Sequence, residues 1–217
     1  RTVVFPWGVD LERFLPSASP AHRSDQFQLF CNRTWEPLYG VDVLTQAFAR
    51  LAPSRPKLAL TLLGSGSQAA SLRRTLLGAG LLERVYFGGQ VSQSELPGWL
   101  RQADLYISPS HVDGSSVSLM EAMACGLPVL VSDIPGNREW VTEGENGWLF
   151  KDGDPEDLAA KIMQAMEQRD ALPEMGRRSR KIAEARADWK KNAAVLLQTY
   201  ENALSVNLDA RKAETSL

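Results

Sequence analysis

The stretch Ser108-Pro-Ser-His-Val-Asp-Gly-Ser-Ser-Val-Ser-Leu-Met-Glu-Ala-Met-Ala-Cys-Gly126 decides how this chain is read. A short apolar run ends near Ser108, a polar loop follows, and a helical segment carries Leu119–Cys125. Such a strand–loop–helix aims the unpaired N–H groups of the first helical turn at the edge of a sheet. With the helix dipole they make an anion site. Gly114 permits close approach to the backbone, and Ser115, Ser116 and Ser118 add hydroxyl donors. Glu121 stands about one turn into the helix, at ~1.5 Å rise per residue. A ribose attached to a bound diphosphate would lie near it, and two carboxylate oxygens can accept from paired hydroxyls. Asp113 lies on the loop at the other end of the diphosphate, placed to accept from a sugar. A purely local reading stands beside this one. Ser118-Leu-Met-Glu121 also spells a capping box, with Glu121 satisfying a backbone N–H, and Asp113-Gly114 is a common turn pair.

Outward from this stretch, short apolar runs alternate with helical patterns. Strands are expected at Gln28–Asn32, Leu58–Leu63, Val85–Phe87, Leu105–Ser108, Val129–Ser132 and Trp148–Phe150. The first five have the near-continuous apolar content of strands buried on both faces. Helical stripes lie between them: Val41, Leu44, Phe48 and Leu51; Leu72, Leu76 and Ala79; Leu96, Leu100 and Ala103. This β-α alternation predicts an α/β fold, a Rossmann-like doubly wound parallel sheet of about six strands with right-handed crossovers. Its ligands would sit at the carboxyl ends of the strands, where the strand order switches direction.

The two ends read differently. Residues 1–24 hold Pro6, Pro16 and Pro20 and are expected to form an interdomain linker, in which His22 has no role. The sheet domain is expected over 25–187. Within it, Asp154-Pro155 opens a helix bearing Leu158, Ile162, Ala165 and Met166. Arg177, Arg178, Arg180 and Lys181 form a basic helical stretch, read as a solvated face or as a contact for an anionic membrane surface. A last helix is expected over 188–204, with Trp189, Ala193, Leu196, Leu197 and Tyr200 on one stripe, and a flexible tail over 205–217. The chain opens Arg-Thr-Val-Val-Phe, without an initiator Met, as expected of a piece of something longer whose partner domain stood upstream.

The 217 residues carry 24 Lys+Arg against 26 Asp+Glu, a formal charge of −2, with 44% hydrophobic and 23% charged residues. That balance suits a soluble globular domain and speaks against a nucleic-acid partner, which selects a basic excess. No apolar run approaches the ~20 residues needed to span a bilayer. Cys31 and Cys125 fit no metal spacing and stand in apolar strings. They are expected to be buried free thiols in a reducing, cytoplasmic setting, with peripheral membrane contact as the extension.

Asp113, seven residues, then Glu121-Ala-Met-Ala-Cys-Gly-Leu-Pro-Val129 resembles the signature of the GT-B glycosyltransferases of family 4, the group 1 glycosyltransferases. The resemblance runs over nearly the whole chain. It includes Gly8-Val-Asp10, Asn32-Arg33, Leu63-Gly-Ser-Gly66, Ala103-Asp104, Ser108-Pro-Ser110, Gly144-Glu-Asn-Gly147, Trp189 and Tyr200. It implies the C-terminal, donor-binding half of a two-domain enzyme, with C-terminal helices that pack back across the interdomain cleft. The implied activity is transfer of a sugar, with retention, from a nucleotide-diphosphate sugar. The acceptor, a sugar or lipid-linked glycan, would be held by an N-terminal domain. No metal or other cofactor is implied, and the departing diphosphate can itself take the acceptor's proton. By the same resemblance Glu121 takes the ribose hydroxyls, and the backbone and hydroxyls of Gly114, Ser115, Ser116, Val117 and Ser118 take phosphate and sugar. Asp113 takes the transferred sugar, and Arg33 neutralises the diphosphate. The last role has its own logic, because a guanidinium fork fits phosphate oxygens and a leaving diphosphate gains charge. The local alternative for Arg33 is a surface ion pair.

Two departures from the family pattern stand out. Its first acidic residue is usually Glu, where this chain has Asp113. Its Pro-x-Lys-Gly is here Pro37-Leu-Tyr-Gly40, so Tyr39 brings no positive charge. Leu63-Gly-Ser-Gly-Ser-Gln-Ala69 matches a dinucleotide fingerprint, but no acidic residue closes the next strand, which ends Gly88-Gly-Gln90. Gly64 and Gly66 are therefore read as letting the backbone pass close to a nucleotide, and Gly88–Val91 as flanking its base. His111 is a solvated loop residue or a sugar contact. Two alternatives of function remain open beside the transferase: a nucleotide-sugar epimerase of the GT-B fold, and a non-catalytic nucleotide-sugar-binding module. The isolated chain is expected to bind nucleotide and turn over poorly.

Overall fold

A computed structural model describes residues 2–17 and 25–214. Six strands form one sheet: β1 (Phe27–Cys31), β2 (Leu58–Leu63), β3 (Val85–Gly89), β4 (Leu105–Ser108), β5 (Val129–Ser132) and β6 (Gly147–Phe150). Their order is β3-β2-β1-β4-β5-β6, and every neighbouring pair is parallel. The chain winds outward from β1 to β3, then returns beside β1 with β4 and winds the other way. The switch in direction therefore falls between β1 and β4. The expected doubly wound sheet is present, with strand ends within two residues of the reading.

Helices cover both faces: α1 (Val41–Leu51), α2 (Ala69–Gly78), α3 (Leu96–Leu100), α4 (Val117–Ala124), α5 (Pro135–Arg138), α6 (Pro155–Glu167), α7 (Leu172–Arg186) and α8 (Trp189–Glu214). Alternate strand residues feed two separate cores, because successive side chains leave a strand on opposite faces. Leu29, Cys31 and Leu130 pack with α1, α2 and α6. Phe30, Val129 and Val131 pack with α4 and α7. The α1 stripe Val41, Leu44, Phe48 and Leu51 is buried as its spacing requires. Asp154 caps α6 by accepting hydrogen bonds from the N–H groups of Glu156 (3.0 Å) and Asp157 (3.1 Å), with Pro155 in the first turn.

Three expectations need correction. The amino-terminal segment is no free linker as far as Phe14. Val9 forms a bridge with Asp188, its N–H donates to the Ala187 carbonyl at 2.8 Å, and both Val9 and Phe14 are buried. The Arg180 guanidinium holds the segment by donating to the Phe14 carbonyl at 2.7 Å. Residues 18–24, including Pro20 and His22, lie outside the described residues. Second, α8 continues to Glu214 rather than stopping at Leu204, since 205–214 offers neither proline nor glycine to end it. Third, Ala79 and Ala103 fall past the ends of α2 and α3: Ala79 is exposed, whereas Ala103 still packs against the core that takes Leu96 and Leu100.

Candidate functional site

The carboxyl edge at the β1–β4 switch opens into a cavity of about 540 Å3. Four connections converge there. The loop after β1 supplies Arg33, the loop after β2 supplies Gly64, the stretch after β3 supplies Gln90, Val91 and Gln93, and the β4–α4 loop with the start of α4 supplies Asp113, Ser115 to Ser118 and Glu121. This is where an open parallel sheet places its ligands, because loops diverge on either side of the switch.

Arg33 is the organising cation. Its Nη2 donates to Asp113 Oδ2 at 2.8 Å, and its Nη1 donates to the hydroxyls of Ser118 at 2.7 Å and Ser116 at 3.1 Å. The pair is mostly buried, with 12% and 13% of the two side chains exposed, so the surface-ion-pair alternative does not describe it. Tyr39 lays its ring 4.5 Å from the guanidinium carbon. The position that lacks the family's lysine thus supports the arginine through its π face. The Arg33 Nε, the Ser115 Oγ and the Asn32 Oδ1 are buried without a hydrogen-bond partner, and all three residues line the cavity. Buried polar atoms are normally paired, so these three mark places for a polar ligand.

Ser116, not Ser118, caps α4: its Oγ accepts from the Leu119 N–H at 3.3 Å. Glu121 therefore lies in the fifth position of the helix, too far along for the capping box. Its carboxylate instead accepts from Gln93 Nε2 at 3.2 Å and is 4% exposed. Burial pushes its pKa above the usual carboxylate range, and the Gln93 hydrogen bond acts in the opposite direction. Ser115, Val117, Val91 and Gly64 line the same cavity. Gly64 has φ +118°, and a Cβ there would come within 2.8 Å of the Arg33 carbonyl oxygen. Glycine lets the β2 loop pass against the β1 loop.

Not every expected residue reaches the cavity. Gly66 does not line it. A Cβ there would overlap the Trp35 carbonyl, so its bareness serves packing between two loops. Gly114 is also outside the lining, with open space around its Cβ position. Of Gly88–Val91, the lining takes Gly89, Gln90 and Val91. His111 does not line the cavity, and its Nδ1 lies 2.7 Å from Asp152 Oδ1. Gln93 went unread in the sequence, because a single polar residue between β3 and α3 carries no periodic or motif signal. Gly136 was missed for the same reason. A Cβ on it would overlap the Asp113 carbonyl oxygen, so it decides how close α5 comes to the acidic loop. Among the described residues no group of three or more His, Cys, Asp or Glu side chains could hold a metal ion, and no helix is long and apolar enough to cross a membrane.

The fold and site define a doubly wound α/β domain with a serine-rich cavity at its switch point, lined by one arginine and two carboxylates. Residues 16–196 match the family of glycosyl transferases group 1, and the chain belongs to that family, of the GT-B fold. It is 31% identical over 222 residues to a D-inositol 3-phosphate glycosyltransferase of Paenarthrobacter aurescens, covering 98% of this chain and 54% of the relative. Among solved structures it resembles sucrose-phosphate synthase from Thermosynechococcus elongatus, with a TM-score of 0.83 and 26% identity, covering 93% of this chain and 52% of that one. It shares its fold with Anabaena Alr3699/HepE in complex with UDP-glucose, with a TM-score of 0.81 at 24% identity, covering 90% and 56% of the two chains. The chain thus spans about half the length of the relatives it matches.

Proposed function

We propose that this chain is the donor-binding half of a retaining glycosyltransferase that takes a nucleotide-diphosphate sugar. One observation carries the reading: Arg33 and Glu121 share one cavity at the switch point, with the first turn of α4 between them. The free N–H groups of that turn and the Arg33 Nε supply donors for a diphosphate. Glu121 supplies a carboxylate for the ribose hydroxyls, and Asp113 one for the transferred sugar. The chemistry follows from charge. As the glycosidic bond breaks, negative charge grows on the leaving diphosphate, and preorganised donors already aimed there stabilise it without reorganising. No metal is required of this arrangement, and the departing phosphate oxygen can take the acceptor's proton on the same face. The acceptor, a sugar or lipid-linked glycan, belongs to the other half of the enzyme.

Supporting this reading are the family membership, the UDP-glucose complex of the Anabaena neighbour and the glycosyltransferase name of the Paenarthrobacter relative. The setting we propose is reducing and cytoplasmic. Cys31 and Cys125 are both buried and free, and burial holds their pKa values up, at about 11 and about 12. Calorimetric titration with UDP, GDP and ADP tests the binding half of the reading. One of the three is expected to saturate with a single site, and Glu121→Ala is expected to weaken it while unfolding stays cooperative. Silence from all three would overturn the proposal.

A further inference from the structure

A second cavity, of about 440 Å3, opens at the opposite edge of the sheet. Its floor lies where the chain enters β4 and β5, from Ala103-Asp104 and from Cys125–Pro128. Leu172 and Pro173 at the start of α7 form one wall, and Pro16 of the amino-terminal segment another. Five cationic side chains, Arg101, Arg169, Arg177, Arg180 and Lys181, face two carboxylates, Asp104 and Glu184, in a chain whose net charge is −2.

Both carboxylates are already engaged. Asp104 accepts from the Gln28 N–H at 2.8 Å and from Arg169 at 3.3 Å. Glu184 accepts from Arg180 Nε at 2.7 Å, while Arg180 also donates to the Phe14 and Ala124 carbonyls. Arg169 and Arg180 are therefore parts of the wall. Arg177 shares Glu174, outside the cavity, with Arg178. Arg101 and Lys181 have no carboxylate partner among the described residues. A concave, low-dielectric surface concentrates the field of such surplus cations. The floor beneath them is apolar, and the Cys125 thiol in it stays neutral because burial pushes its pKa up to about 12.

We propose that this cavity binds the phosphate headgroup of an anionic phospholipid, with Arg101, Arg177 and Lys181 around the phosphate and the glycerol and first acyl carbons over Leu127, Pro128 and Leu172. The volume is that of a site for an organic ligand. The site stands apart from the nucleotide cavity, so it does not depend on the function proposed above.

Co-sedimentation with vesicles tests it, comparing phosphatidylcholine alone with an equal mixture of phosphatidylcholine and phosphatidylglycerol. The protein is expected to pellet with the mixed vesicles only. The double variant Arg101→Ala/Lys181→Ala is expected to partition about fivefold less for each charge removed. The double variant Arg50→Ala/Arg74→Ala removes the same charge from exposed positions outside the cavity and is expected to lose little. Melting temperature and nucleotide titration check that both variants are folded. Equal losses in the two variants would overturn the proposal in favour of diffuse charge. Saturation by soluble glycerol 3-phosphate without vesicle binding would overturn it in favour of a free phosphate. Binding to neither would overturn it outright.

Discussion

The guanidinium of Arg33 lies 2.8 Å from the carboxylate of Asp113, 80 residues away in the chain, and both side chains are mostly withdrawn from water. Under the proposed function these are the phosphate-directed cation and the sugar-directed acid. The two charges neutralise each other, and the serine hydroxyls of the α4 entry hold the cation's other arm.

Removing either partner therefore has unequal effects. Arg33→Ala leaves the Asp113 carboxylate buried without its counter-charge, a change that costs about 3–5 kcal/mol for a buried pair. Asp113→Asn leaves a neutral acceptor and frees the guanidinium for phosphate. Nucleotide affinity is expected to survive in Asp113→Asn while transfer in the full-length enzyme falls. Thermal melts and calorimetric titration on the two variants check this, and equal loss of nucleotide affinity in both would contradict it.

Glu121 gives a pH signature. Its folded-state pKa is raised, so between the ordinary glutamate range and that raised value the folded state binds more protons than the unfolded one. Stability contributed by this group is therefore lost as pH rises through that window. Glu121→Gln should flatten this dependence. Nucleotide binding should run the other way, weakening as pH falls and the carboxylate is protonated. Gln93→Ala removes the hydrogen bond that opposes the upward shift, so the acid limb of the affinity profile should move to higher pH. Titrations across mildly acidic to neutral pH measure it. At neutral pH, Glu121→Gln is expected to weaken binding by about 1.5–3 kcal/mol, the worth of hydrogen bonds to a charged group.

Gly136 and Gly98 should respond oppositely to the same substitution. A methyl on Gly136 would overlap the Asp113 carbonyl, and overpacking of this kind costs about 1–3 kcal/mol. The displaced loop should also weaken nucleotide binding, although Gly136 does not line the cavity. Gly98, within α3, has nothing within 4 Å of its Cβ position. Gly98→Ala should stabilise by about 0.5–1 kcal/mol through helix propensity and leave binding unchanged. Melts and titrations of the two variants give the comparison.

Arg180 fastens the amino-terminal segment. It donates to the Phe14 carbonyl at 2.7 Å, the Ala124 carbonyl at 2.7 Å and the Leu11 carbonyl at 3.4 Å. Arg180→Met keeps much of the volume but leaves these acceptors unpaired, each lost partner costing about 1–3 kcal/mol where it stays buried. The variant should melt lower and be cleaved near Leu11–Phe14 by a protease that spares the parent. Unchanged cleavage would show that burial of Val9 and Phe14 holds the segment without the arginine.

The amino-acid order by itself determined the sheet and its strands to within two residues, most of the helical stripes, and the loop from Asp113 to Glu121. These are legible because strand and helix periodicities, and a motif confined to one strand–loop–helix, are properties of neighbouring residues. Tertiary structure alone decided that Arg33 pairs with Asp113, that Glu121 meets Gln93, that Gly66 serves Trp35, and that Val9 and Phe14 are docked. Each of these depends on a contact whose partner belongs to another element, and whether two such groups meet is settled only when the sheet's winding brings their loops to one edge.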